Sequence, residues 1–382
     1  MRIYKWLSGA AIVSLVTALI LIFSGRWEIS GPFLILFFVL LAFAFRGYEN
    51  LRGFSYTMTI LASVTAAMYY PSAFVSWDGY PLKKLITPLI QLIMFGMGTS
   101  MSVQDFVGVV KMPKGVLIGV VSHFIIMPLL GYTIASMSGL PVEIAAGIIL
   151  IGCSPNGMAS NVISYLAKAN LALSITITAI STMLAPLITP LLMKLLAGEL
   201  IEIKVGDMMW EIIKMVIIPI AAGLVFNKFL SGKAKWLDKA MPLVSMFGIA
   251  FIITIITAGG RDSLISIGFK LLLLVLIHNL CGYSLGYWTA RLFKMKERDC
   301  RTIAIEVGMQ NAGMASGLAN AMGKASTVGL APAVFGPLMN TTGSILASYW
   351  HKRPPKEVGS TKDEGGSEEE ATGSRQQAAD KI

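Results

Sequence analysis

A chain of 382 residues that is 55% hydrophobic, 14% charged and of mean hydropathy +0.71 does not have the make-up of a soluble domain, which runs about 45–50% apolar and about 25% charged. Seven of its 21 acidic residues (Glu357, Asp363, Glu364, Glu368, Glu369, Glu370 and Asp380) lie in the last 32 positions. They leave behind apolar stretches of the roughly 20 residues that cross a bilayer. A soluble enzyme, a disulfide scaffold and a nucleic-acid binder are excluded, and the net charge of +10 reads as Lys and Arg in inner loops.

Taken in chain order, the apolar runs predict about twelve membrane helices near 7–23, 31–46, 53–70, 84–101, 114–136, 141–167, 171–196, 208–227, 239–259, 266–290, 300–322 and 326–349. The first follows Arg2 and Lys5 but has no A-x-A cleavage site, so it reads as a retained anchor rather than a signal peptide. From Lys352 on, Pro354-Pro355 and a Gly/Ser/Glu-rich run predict a disordered tail. With the N-terminus inside, 19 Lys and Arg fall on the inner side and 9 on the outer, which places both termini in the cytoplasm and the chain in the inner membrane.

A repeat organises these segments. Gly157-Met158-Ala159-Ser160 recurs as Gly313-Met314-Ala315-Ser316, and Lys168-Ala169 as Lys324-Ala325, both at an offset of 156. His123 and Gly131-Tyr132 recur as His278 and Gly286-Tyr287 at 155. Each copy holds five spans, and an odd number sets the copies in opposite orientation, a pattern of secondary transporters. The expected organisation is an accessory two-helix segment over 1–52, repeat 1 over 53–200, an inverted repeat 2 over 208–350, and a tail over 351–382.

Both copies of the motif sit where a helix is expected to break. In segment six Pro155 stands beside Asn156-Gly157 at mid-membrane, which removes a backbone donor. Its partner, segment eleven, carries Glu306, the one acidic residue well inside an apolar segment, with Glu143 at a helix start as the nearest rival. A carboxylate in lipid costs at least about 2.5–3.5 kcal/mol, so it calls for a cation, a proton or a partner. Unwound carbonyls, a carboxylate and nearby Ser, Thr, Asn and Gln oxygens suit a hard monovalent cation, and half-helix N-termini suit an organic anion.

The stretches Gly152-Cys153-Ser154-Pro155-Asn156-Gly157-Met158-Ala159-Ser160-Asn161-Val162, Glu306-Val307-Gly308-Met309-Gln310-Asn311 and Phe95-Gly96-Met97-Gly98 resemble the bile acid:sodium symporter family. The resemblance covers roughly 53–350 and implies an all-α polytopic membrane protein. It would have two inverted five-helix repeats with discontinuous crossing helices, divided into a four-helix panel and a six-helix core, after two extra N-terminal helices. It also implies two sodium sites. The first would use Ser160, Asn161, Ser174, Thr178 and Glu306; Ser174 and Thr178 share a helix face at i, i+4. The second would use Glu306, backbone carbonyls at Val307 and Met309, the side chain of Gln310, and His123 where the family has a Gln. An imidazole is a poorer sodium ligand than an amide oxygen. Asn311, Met158, Asn156, His278 and Asn279 would face the substrate, with Met158 where some members have a Thr.

The implied activity is sodium-coupled import of an organic anion, bile-acid-like or a small carboxylate such as pantoate, by alternating access, with Na+ as coupling ion and no cofactor. A proton-coupled carrier or an exporter of arsenite-like oxyanions is the alternative on the same fold, kept open by Cys153 beside the break. A membrane enzyme has no motif to support it, since H-E-x-x-H, G-x-S-x-G and a phosphate loop are all missing. A sensor would need an output domain that the short tail does not supply.

Overall fold

The computed structural model describes residues 2–48, 54–230 and 235–355. The expected domain boundary at 52/53 and the tail beyond Pro355 lie outside the described residues. What is described is almost wholly helical. Two apolar helices, α1 (Arg2–Phe23) and α2 (Trp27–Phe45), form a hairpin that packs on α3 (Phe54–Tyr69). Small and hydroxylated residues make the joints. Ser14 donates to the Phe33 carbonyl at 2.7 Å, Ser55 to the Ala42 carbonyl at 2.6 Å, and Ser30 meets the Tyr69 hydroxyl at 2.7 Å. The large apolar side chains of α1, such as Trp6, Ile12 and Phe23, are exposed, as fits a lipid-facing surface.

Downstream lie α4 (Ser72–Val75), a two-residue β-hairpin of β1 (Ser76–Trp77) and β2 (Tyr80–Pro81), then α5 (Ile86–Ser100). A short helix, α6 (Val103–Lys111), opens with a Ser102/Asp105 capping box. Neither the β-hairpin nor α6 was expected from the apolar runs. The long spans α7 (Pro113–Ser138) and α10 (Leu171–Ala197) flank a broken one, made of α8 (Val142–Cys153) and α9 (Ala159–Leu166).

The second half opens on α11 (Val205–Ile212), which continues through a π-turn over Ile213–Ile217 into α12 (Ile218–Leu230). Pro219 lacks the amide that would continue the regular ladder, and Gln91 donates to the Lys214 carbonyl in the turn at 3.2 Å. Then follow α13 (Lys235–Gly259), α14 (Arg261–Leu292), a second broken span of α15 (Glu297–Gly308) and α16 (Ala312–Ala321), and α17 (Leu330–His351). Among the described residues, six helical stretches are long and apolar enough to cross a membrane, and Val142–Cys153 and Leu243–Gly259 are shorter apolar ones.

The two broken spans are tied at corresponding ends. Glu143, in the first turn of α8, pairs with Lys324 beyond the end of α16. Asp299, 156 residues later and in the first turn of α15, accepts from Asn170 beyond the end of α9 at 2.8 Å. In each case the start of one broken span is fastened to the end of the other.

Candidate functional site

The site begins with backbone that helices do not satisfy. Pro155 forces Ser154 into extended geometry (ψ 153°), and α15 ends in the same way at Met309 (ψ 111°). The two extended segments then pair, with Asn156 opposite Gln310 in an antiparallel bridge. Gly157 donates to the Met309 carbonyl at 3.3 Å and the Asn311 amide to the Pro155 carbonyl at 2.7 Å. A Cβ on Gly157 would lie 2.7 Å from the Gln310 carbonyl oxygen, so this approach needs glycine.

Other carbonyls released by the breaks are met by side chains, as a low-dielectric interior requires. Thr189 donates to the Cys153 carbonyl at 2.8 Å and His123 Nε2 to the Ser154 carbonyl at 2.8 Å. Asn156 Nδ2 donates to the Glu306 carbonyl, Gln310 Nε2 to that of Val307 at 2.9 Å, and Asn279 Nδ2 to that of Gly308 at 2.8 Å.

Around the Glu306 carboxylate the chemistry differs. Its side chain is fully buried, and Ser174 donates to Oε1 at 2.5 Å and Thr178 to Oε2 at 2.9 Å. Asn161 Oδ1 lies 2.9 Å from the Ser174 hydroxyl and 3.4 Å from that of Thr178. Ser164 and Ser160 hydroxyls stand 3.1 and 3.3 Å from those of Ser174 and Thr178 respectively. The Ser160 proton is directed at the Gly157 carbonyl at 2.8 Å. Two hydroxyl protons therefore face a carboxylate and an amide oxygen, and acceptors outnumber donors. An all-oxygen cluster with surplus lone pairs around an anionic group is the donor set of a hard monovalent cation.

The residues expected to form the first cation site are thus gathered in one place, and Ser164, a turn after Ser160, joins them. Apolar periodicity gave no sign of Ser164; its place on the face that meets α10 could have found it. Among the residues expected at the second, His123 has both ring nitrogens engaged: Nε2 with the Ser154 carbonyl, and Nδ1 with the Asn156 amide at 3.0 Å and the Glu306 carbonyl at 3.2 Å.

Of the residues expected to face substrate, Met158 is 40% exposed, whereas Asn156, His278 and Asn279 are fully buried. His278 donates to the Met127 carbonyl at 3.0 Å, and Asn279 accepts from Thr342 at 2.6 Å. Asn311 is 6% exposed and its Oδ1 caps α16 by accepting from the Met314 amide at 2.9 Å. Asn156, Asn279 and Asn311 thus bond groups at the crossing, and His278 bonds the backbone of α7. Cys153 is also fully buried.

The Sodium Bile acid symporter family profile matches residues 87–267. The chain is 39% identical over 318 residues to the "Uncharacterized sodium-dependent transporter YocS" of Bacillus subtilis, a match covering 83% of this chain and 97% of that one. It is 30% identical over 269 residues to the "Probable sodium/metabolite cotransporter BASS1, chloroplastic" of Arabidopsis thaliana, covering 70% and 67%. With the corresponding BASS3 protein of Oryza sativa subsp. japonica it shares 31% over 297 residues, covering 77% and 69%. This all-α, multi-pass membrane protein, with its paired helix breaks, belongs to the sodium bile acid symporter family.

Proposed function

We propose that the chain is a sodium-coupled symporter that imports an organic anion, bile-acid-like or a small carboxylate such as pantoate, by alternating access. The observation that carries this reading is the buried Glu306 carboxylate ringed by Ser174, Thr178, Asn161 and Ser160 oxygens. The relatives are named as transporters. Sodium at this cluster would tie α9, α10 and α15 together and so fix the crossing against which a substrate anion docks.

Exposure supports a molecule caught on one side of its cycle. Met158, just before α9, and Val162, Tyr165 and Leu166 on it are exposed along one face. On α16, the equivalents Met314 and Leu318 are wholly buried, and Gly317 lies against Ile90 of α5 and Met215 of the π-turn. With both termini in the cytoplasm and the repeats inverted, α9 descends to the inner face. The substrate path is then open inward and closed outward, in an inner membrane.

The arsenite alternative has no comparable support, because Cys153 is enclosed by the core. The test is uptake into proteoliposomes in sodium and in potassium media, with substrates found by thermal shift of the purified chain against organic acids. Coupled ligands stabilise together more than separately. Equal uptake in both media would refute sodium coupling.

A further inference from the structure

One turn before the Glu306 carboxylate, α10 and α15 are fastened a second time. Asn170, the residue that precedes α10, exchanges hydrogen bonds with Thr302 of α15. Its amide donates to the Thr302 hydroxyl at 2.9 Å, and that hydroxyl proton faces the carbonyls of Asn170 at 3.0 Å and Arg298 at 3.1 Å. Thr302 is fully buried. The side chain of Asn170 adds two further bonds. Oδ1 caps α10 by accepting from the Leu173 amide at 3.2 Å, and Nδ2 donates to Asp299 at 2.8 Å. The other hydrogen of Nδ2 faces Met112 Sδ at 3.8 Å. An amide, with an acceptor at one end and a donor at the other, meets both demands; an aspartate could cap but not donate.

The spacing of these contacts matches that of the cation cluster. Thr302 lies 132 positions after Asn170, and Glu306 lies 132 after Ser174. Each member of the second pair follows its counterpart by four residues, so the two helices climb side by side with the lock one turn beneath the carboxylate. A slip of one residue would carry Ser174 about 1.5 Å along the axis and about 100° around it. A working ligand set is held within about 0.5 Å.

The other broken span supplies a comparison within the chain. At the offset of 156 at which Gly-Met-Ala-Ser recurs, Glu306, Ser174 and Thr178 correspond to Leu150, Leu330 and Val334, none of them an ion ligand. Thr302 and Asn170 correspond to Ala146 and Ser326, and the alanine has no hydroxyl to exchange. Asp299 corresponds to Glu143, so an acid stands at this end of both broken spans. The copy without the carboxylate is thus also the copy without the threonine.

We infer that Asn170 and Thr302 are positioning residues of the cation site: they hold α10 in register with α15, so that Ser174 and Thr178 meet Glu306, and do not themselves ligate the ion. This rests on the sodium-coupled reading above and adds two residues that the expected ligand set does not contain.

Equilibrium binding of radioactive sodium to the purified full-length chain, at a temperature where each variant is folded, reads affinity apart from stability. Thr302→Val removes the hydroxyl with little change of shape and should weaken binding about fivefold, the scale of a lost hydrogen bond. Thr302→Ser keeps the hydroxyl and should bind as the wild type does. Asn170→Asp sets two carboxylates against each other and should weaken binding about tenfold or more. The reciprocal exchange N170D/D299N turns the same hydrogen bond around and should recover most of that loss. If N170D does not fold, T302V and T302S give the reading alone. Wild-type affinity in T302V, or equal loss in T302S, overturns the role of Thr302, whatever becomes of the melting temperature. Wild-type affinity in N170D, or an exchange that binds no better than N170D, overturns that of Asn170. No sodium bound by the wild type refutes the sodium-coupled reading instead.

Discussion

Ser174 donates to Oε1 of Glu306 at 2.5 Å across 132 positions of sequence, and Thr178, one turn on, donates to Oε2 at 2.9 Å. One face of α10 thus grips both oxygens of a carboxylate carried by α15. A hydrogen bond to a charged group contributes about 1.5–3 kcal/mol, or roughly tenfold or more in affinity. Ser174→Ala and Thr178→Ala are each expected to raise the half-saturating sodium concentration about tenfold. Glu306→Gln should abolish the rise in melting temperature that sodium gives the wild type. Differential scanning fluorimetry across a sodium series, with potassium as control, measures both.

The ion pairs at the two ends of the broken spans carry unequal weight. Glu143 and Lys324 keep 37% and 33% of their side-chain surface exposed, so solvent screens them and the pair contributes about 1 kcal/mol at most. Glu143→Gln should lower the melting temperature by no more than a few degrees, and less at high salt. Arg301 has only 6% of its side chain exposed and bonds Glu297 and three carbonyls. A lysine cannot span that fork. Arg301→Lys should cost about 3 kcal/mol, in the range for a broken buried pair, and Arg301→Met at least as much. Thermal unfolding in detergent separates the two sites.

The spans, both breaks and the Glu306–Ser174–Thr178 grouping were legible because each leaves a local mark: a long apolar run, a proline beside Asn-Gly, a lone acid, or hydroxyls one turn apart. The aim of Asn156 was not legible. It depends on the ring of His123, 33 residues away, and on a carbonyl 150 residues away, and neither contact has a spacing to betray it. The same holds for Asn279 and His278, whose polar side chains could as well have met substrate as backbone. The helix over Val103–Lys111 was missed because it is short and amphipathic rather than apolar throughout.

Gly157 tests the crossing itself. Its would-be Cβ meets backbone, the Gln310 carbonyl oxygen at 2.7 Å, and backbone cannot swing aside as a side-chain end can. Gly157→Ala should push the two extended segments apart and cost about 1–3 kcal/mol, as overpacking does. Sodium affinity should fall with stability, because Glu306 lies on α15, which runs directly into one of those segments. Parallel measurement of melting temperature and sodium half-saturation checks the link.

The proposed inward opening predicts a contrast between equivalent positions. Val162 is 55% exposed and Leu318 is 0% exposed. In a background with Cys281 replaced by Ser, Val162→Cys should react quickly with a water-soluble maleimide applied from the cytoplasmic side, and Leu318→Cys should not. Reaction of L318C at a comparable rate from the outer side alone would show an outward-open molecule instead. Labelling of inside-out and right-side-out vesicles measures both rates.

The contact between Gly317 and Ile90 turns one missing side chain into a lever. A Cβ on Gly317 would lie 2.3 Å from the end of Ile90, so a large residue such as leucine or tryptophan cannot share that space with Ile90, which on the proposed inward-open reading belongs to the closed outer half. A single such wedge would prop the outer passage ajar without touching any oxygen around Glu306. The carrier could then be held in its opposite pose by bulk alone, with its ion-binding chemistry intact, and the two half-cycles studied one at a time.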